Sequence, residues 1–170
     1  FGMFAAVILN TSLMSLVFWL FHMSRRTMGS KAGYFLLVFY WIAFEYFHLN
    51  WELSWCWLNL GNGFGKNINL VQWYEYTGIL GGSIWVLVSN ILITIGLRKY
   101  TTYYTAKSIY TNAGVILLWI ITPVIISTVL FYNYTEKEDP YKVVVIQPNI
   151  DPYTEKFDNL TDEQQLDKML

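Results

Sequence analysis

Residues 112–150 read NAGVILLWIITPVIISTVLFYNYTEKEDPYKVVVIQPNI, and they join two chemically different kinds of chain. Asn112–Tyr134 carries no charged residue and is longer than the roughly 20 apolar residues a helix needs to cross a bilayer. Pro123 near its middle lacks a backbone donor and should kink it. Residues 135–141, with Glu136, Lys137, Glu138, Asp139 and Pro140, read as a linker. In VVVIQPNI, residues 143–150, the β-branched run predicts a strand over Lys142–Ile146, buried on both faces. Pro148 and Pro152 punctuate the loop after it. Thr161-Asp162-Glu163-Gln164 has the form of a capping box and predicts a helix start. Strand, loop, helix is the opening of an alternating α/β domain. The expected organisation is a membrane domain over 1–134, the linker, and the beginning of a soluble α/β domain over 142–170.

Upstream the same logic repeats. Phe1–His22 is uncharged, Gly33–Leu49 is apolar except for Glu45 and His48, and Gly78–Leu97 is a third clean run. With Asn112–Tyr134 these make four expected spans. The 170-residue chain is 55% hydrophobic and only 14% charged, against roughly 25% for a soluble domain. Charge is segregated: nine of the 12 acidic residues lie beyond residue 135. The net charge of -1 and the lack of a basic stripe exclude a nucleic-acid partner. A single cysteine, Cys56, excludes an internal disulfide.

Loops 23–32 and 98–111 share one side of the membrane and hold Arg25, Arg26, Lys31, Arg98, Lys99 and Lys107, with no acidic residue. The 50–77 segment on the other side has Lys66 as its one basic residue. Basic residues near span ends mark the cytoplasmic face, so the 50–77 segment and the 135–170 tail are expected outside the cytoplasm, which in a bacterium is the periplasm.

The 50–77 segment holds the candidate functional residues. Trp51, Trp55, Trp57 and Trp73 gather there with Tyr74 and Tyr76. They read first as an interfacial aromatic belt, and a pocket or lid that admits a lipid would be built at the same level. Gly61, Gly63 and Gly65 permit a sharp reversal or re-entrant loop. Glu45 sits one turn before the end of an apolar helix, where charge is costly and such residues face a cavity, a partner or nearby water. His48, three residues on, can share its face and partner it. Glu52 and Glu75 read as solvated or as loop residues with a role. The histidines lack metal-ligand spacing. Cys56 has no base beside it and reads as a packed residue. Gly78-Ile79-Leu80-Gly81-Gly82-Ser83 offers small residues for close helix packing.

Glu45, SWCWLNLG (54–61), LVQWYEYTGILGGS (70–83) and Asn90 together resemble the membrane domain of the apolipoprotein N-acyltransferase family. Trp57 or Trp55, with Leu60 and Gly61, matches that family's Trp-x-x-Leu-Gly stretch, and Gln72, Gly78, Gly81 and Asn90 match its Gln and Gly-x-x-Gly run. VVVIQPNI and Lys156 resemble the first strand and loop of its nitrilase-like domain. Ser54 departs from the Pro common before the first Trp.

The resemblance implies a fold and a chemistry. The fold is an α-helical membrane protein of about four spans followed by the first strand and helix of a nitrilase-like α/β domain. The chemistry moves an acyl chain from a phospholipid donor to the N-terminal cysteine amine of a diacylated lipoprotein through a Cys thioester, without a cofactor. The family's catalytic Glu, Lys and Cys have no match here: Lys156 and Cys56 are not those residues. The chain, which begins with Phe1 and ends within an expected helix at Leu170, reads as an inactive fragment of a bacterial inner-membrane enzyme. Glu45, Trp55, Trp57, Gln72 and Glu75 are its lipid-path candidates. Two other classes stay open: a transporter or channel with Glu45 in its pathway, and a plain anchor for an unrelated periplasmic enzyme.

Overall fold

A computed structural model describes residues 2–52, 54–102, 106–136, 141–147, 150–151 and 161–169. The chain divides into two units, Phe1–Tyr134 and Thr135–Leu170. The first holds four long helices: α1 (Gly2–Met28), α2 (Ser30–Leu49), α3 (Tyr74–Thr102) and α4 (Ala106–Asn133). All four are long and apolar enough to cross a membrane.

Burial in this unit is inverted relative to a soluble protein. Among the described residues only Val17 and Trp41 are buried hydrophobics, whereas Asn10, Ser24, Glu45, His48, Asn59, Ser83 and Ser127 are buried polar residues. Leu, Ile, Val and Phe side chains line the outside of every helix. In lipid there is no hydrophobic force between helices, so small and polar side chains make the interhelical contacts and apolar ones face the solvent.

The helices overrun the expected spans. α1 continues past His22, so Arg25 and Arg26 form its last turn, where the helix dipole favours cations. Only Gly29 separates α1 from α2, at φ 86°, a conformation that costs glycine little. α3 starts at Tyr74 and is broken at Gly78, φ 63°. α4 runs on through Pro123. Proline leaves the carbonyl four residues back without its helical donor, and Trp85 Nε1 supplies one instead, donating to Trp119 O at 3.2 Å. Trp119 Nε1 returns a 3.3 Å bond to Trp85 O, stapling α3 to α4.

Between α2 and α3 the chain forms three short 3-10 turns, Cys56–Leu58, Leu60–Phe64 and Ile68–Leu70.

In the second unit, the expected helix is present as α5 (Asp162–Asp167). Both halves of the capping box form: Gln164 N donates to Thr161 Oγ1 at 3.3 Å, and Thr161 N to Gln164 Oε1 at 3.0 Å. The expected strand over Lys142–Ile146 is absent: residues 141–147 have no regular structure. Strand formation needs a partner strand, and none exists among the described residues. Val143, Val144 and Val145 are 76%, 84% and 84% exposed. Residues 137–140, Pro148, Pro152 and Lys156 lie outside the described residues, as does the Cys56 side chain.

Candidate functional site

The candidate site is built around Glu45. It is 2% exposed, one turn before the end of α2. Its Oε1 accepts two hydrogen bonds, from Trp41 Nε1 at 2.8 Å and from the backbone N–H of Leu60 at 2.9 Å. The first is an i, i+4 pair that fixes the carboxyl rotamer. The second reaches across to the α2–α3 segment. A buried carboxyl is tolerated when such donors offset its lost hydration.

The next peptide is held as firmly. Gly61 N donates to Ser83 Oγ at 3.0 Å, and Tyr74 Oη donates to Gly61 O at 3.0 Å. Gly61 must be glycine, because a Cβ would collide with the carbonyl oxygen of Ile79. Gly82 lies opposite: a Cβ there would sit 3.0 Å from Gly61 Cα. The expected close packing of the 78–83 run is thus directed at the Leu60-Gly61 turn. Further along, Gln72 N donates to Ser127 Oγ at 2.7 Å and Gln72 Nε2 to Ile68 O at 2.7 Å. Ser83 and Ser127 are fully buried. The segment is therefore tied to α2 by Glu45, to α3 by Ser83 and Tyr74, and to α4 by Ser127.

Beside this node lies a patch of buried polar atoms with no protein partner: Glu45 Oε2, both nitrogens of His48, Trp51 Nε1 and Asn59 Nδ2. His48 does not pair with Glu45, contrary to the i, i+3 expectation. Its ring stacks on Phe44 at 5.2 Å and lies 5.1 Å from Trp51. The patch mixes donors with acceptors, the composition that takes a polar group or water.

The expected site residues divide into two sets. Glu45 and Gln72 belong to the tethering network. Trp55 and Trp57 stack on each other at 6.2 Å, and Trp57 is 66% exposed, so they present an aromatic surface outward. Glu75 is exposed in the first turn of α3, where the helix dipole favours it. Glu52 is exposed as well. An apolar cavity of about 270 Å³ opens between α3 and α4, walled by Trp73, Leu80, Trp85, Trp119 and Pro123.

Sequence reasoning missed Trp41, Tyr74 and Ser127 as network members. Trp41 was findable, four residues before a charge in an apolar helix. Ser127 carries no local signal.

Glu45, Leu60, Gly61, Gln72 and Ser83 of this assembly are among the residues that carried the resemblance, and residues 1–92 match the apolipoprotein N-acyltransferase N-terminal domain. The chain belongs to that family. It is also 29% identical, over 151 residues, to the apolipoprotein N-acyltransferase of Chlorobaculum tepidum. That alignment covers 88% of this chain and 28% of the relative, so the chain spans less than a third of that protein. No solved structure matches significantly.

Proposed function

We propose that this chain is the lipid-gathering membrane base of an enzyme that acylates lipoproteins. A phospholipid donates an acyl chain, through a cysteine thioester, to the N-terminal cysteine amine of a diacylated lipoprotein. The observation that carries the proposal is the tethered Leu60-Gly61 turn. Bonds from the family-matching residues Glu45, Leu60, Gly61 and Gln72 tie the α2–α3 segment to three helices, and that segment carries the exposed Trp57.

In this reading Glu45 positions the turn, Trp55 and Trp57 lie at the membrane interface where a lipid enters, and Gln72 and Glu75 border its path. The 50–77 segment and residues 135–170 face the periplasm of an inner membrane. This follows from the basic residues of the α1–α2 and α3–α4 ends. The linker 135–141 leads into a nitrilase-like domain that starts at 142, whose first strand forms when strands pair with it. Cys56 is the single cysteine and sits between two spans, so it is not the nucleophile. The 170 residues alone have no transferase activity.

The test uses the full-length protein with phosphatidylethanolamine and a diacylglyceryl-cysteine peptide, read by mass spectrometry. A triacylated peptide is expected, unchanged in yield for Cys56→Ser. No product from the wild type, or a dead Cys56→Ser enzyme, defeats the proposal.

A further inference from the structure

The membrane unit has a second cavity, which runs from the tethered turn to the opposite, basic end of the helices. About 480 Å³ of space lies between α1, α2 and α3, bounded at one end by Trp41 and Leu60 and at the other by Arg25 and Arg98. A neighbouring cavity of about 540 Å³ shares Tyr34 and Arg98 with it and adds Lys31 and Lys99. Among the described residues no acidic side chain lines either one. Four cations therefore surround the mouth of a groove whose floor is apolar.

Arg25 is held in this wall by packing. α1 and α2 touch so closely that a Cβ on Gly33 would lie 2.8 Å from Arg25 Cα. The guanidinium lies over the Tyr34 ring, 5.8 Å from its centre, and Tyr34 stacks in turn on Phe21 at 6.0 Å. A cation–π contact orients the group without neutralising it. Lys99 donates to Asn112 Oδ1 at 3.2 Å, which also leaves its charge unpaired.

We propose that this groove is a binding site for an anionic phospholipid. Its phosphate sits between Arg25 and Arg98, and an acyl chain runs along α2 toward Trp41 and Leu60. Guanidinium groups suit phosphate oxygens, and basic pockets between spans take anionic lipid headgroups. A zwitterionic lipid brings its own ammonium to a mouth already crowded with cations, so the site favours a phosphodiester without one. The bound headgroup lies at the opposite end of the helices from the tethered turn. The bound lipid is not the proposed acyl donor, and the inference does not depend on acyl transfer.

Native mass spectrometry of the full-length protein in mild detergent tests this, with phosphatidylglycerol and phosphatidylethanolamine of matched acyl chains as probes. The wild type should retain phosphatidylglycerol preferentially. Arg25→Gln/Arg98→Gln should bind it about thirtyfold more weakly, the factor two basic residues contribute at a membrane surface. Lys107→Gln, which lies outside both cavities, should bind nearly as the wild type does. Thr94→Trp, which fills the groove and keeps every charge, should also lose the lipid. Equal retention of the two lipids by the wild type overturns the proposal. So does undiminished phosphatidylglycerol binding by the double variant or by Thr94→Trp, or a groove occupied by another segment of the full-length protein.

Discussion

The two ends of the membrane unit solve helix association differently. At the tethered end, Glu45, Ser83 and Ser127 are all buried, and each hydrogen-bonds a backbone N–H of the segment between α2 and α3. At the basic end α1 and α2 close tightly on Gly33, but space remains toward α3 and the side chains around it are cationic. One end spends its polar groups inward, on making an irregular segment rigid. The other turns them outward, toward whatever occupies the groove. Irregular backbone at membrane depth persists only where protein satisfies its polar groups, and that is what the three side chains do.

The contrast can be broken from the tethered end. The largest effect should come from Gly61→Ala, since its Cβ meets the backbone oxygen of Ile79 rather than a side chain that can swing away. A loss of roughly 3 kcal/mol, the upper end of overpacking, should show as a lowered unfolding temperature in detergent. Gly33→Ala, less tight with Arg25 Cα at 2.8 Å, should disturb lipid retention at the other end instead.

Glu45→Ala comes next. It strands two donors, Trp41 Nε1 and Leu60 N–H, at about 1 kcal/mol each, the low end for a buried group left unpaired, because the carboxyl's own burial cost is relieved at the same time. Glu45→Gln keeps an acceptor oxygen and should cost less than half as much in the same melting experiment. Ser127→Ala removes one acceptor, that of Gln72 N–H, and should cost about 1 kcal/mol. Glu75→Ala, at an exposed position, should stay within about 0.5 kcal/mol of the wild type. A Glu75 variant as damaging as the Glu45 one would erase the distinction between tethering and peripheral residues.

Much of this was legible in the sequence, for identifiable reasons. Apolar runs, three of them uncharged and one interrupted by Glu45, located all four long helices, because burying charge in lipid is costly. Their ends were misplaced where a residue reads as a stop but acts as a terminus: Arg25 and Arg26 finish α1 rather than follow it, and Gly78 interrupts α3 rather than opens it. Glu45 stood out as a charge in a span. Its partners did not, because one is a backbone N–H fifteen residues away. Ser83 and Ser127 were invisible as anchors, since a hydroxyl in an apolar helix commonly bonds its own helix, as Ser89 does to Trp85 O. The capping box at Thr161 was read correctly because capping is local. The strand over Lys142–Ile146 was not found, because strand pairing is non-local.

The most direct test of the tethering account is hydrogen exchange in the full-length protein, followed on peptides that cover Leu60 and Gly61. Slow exchange is predicted for the wild type and for Glu75→Ala. In Glu45→Ala the same amides should exchange much faster, while peptides around Arg25 and Gly33 stay unchanged. Fast exchange at Leu60 and Gly61 in the wild type, or full protection surviving in Glu45→Ala, would contradict it.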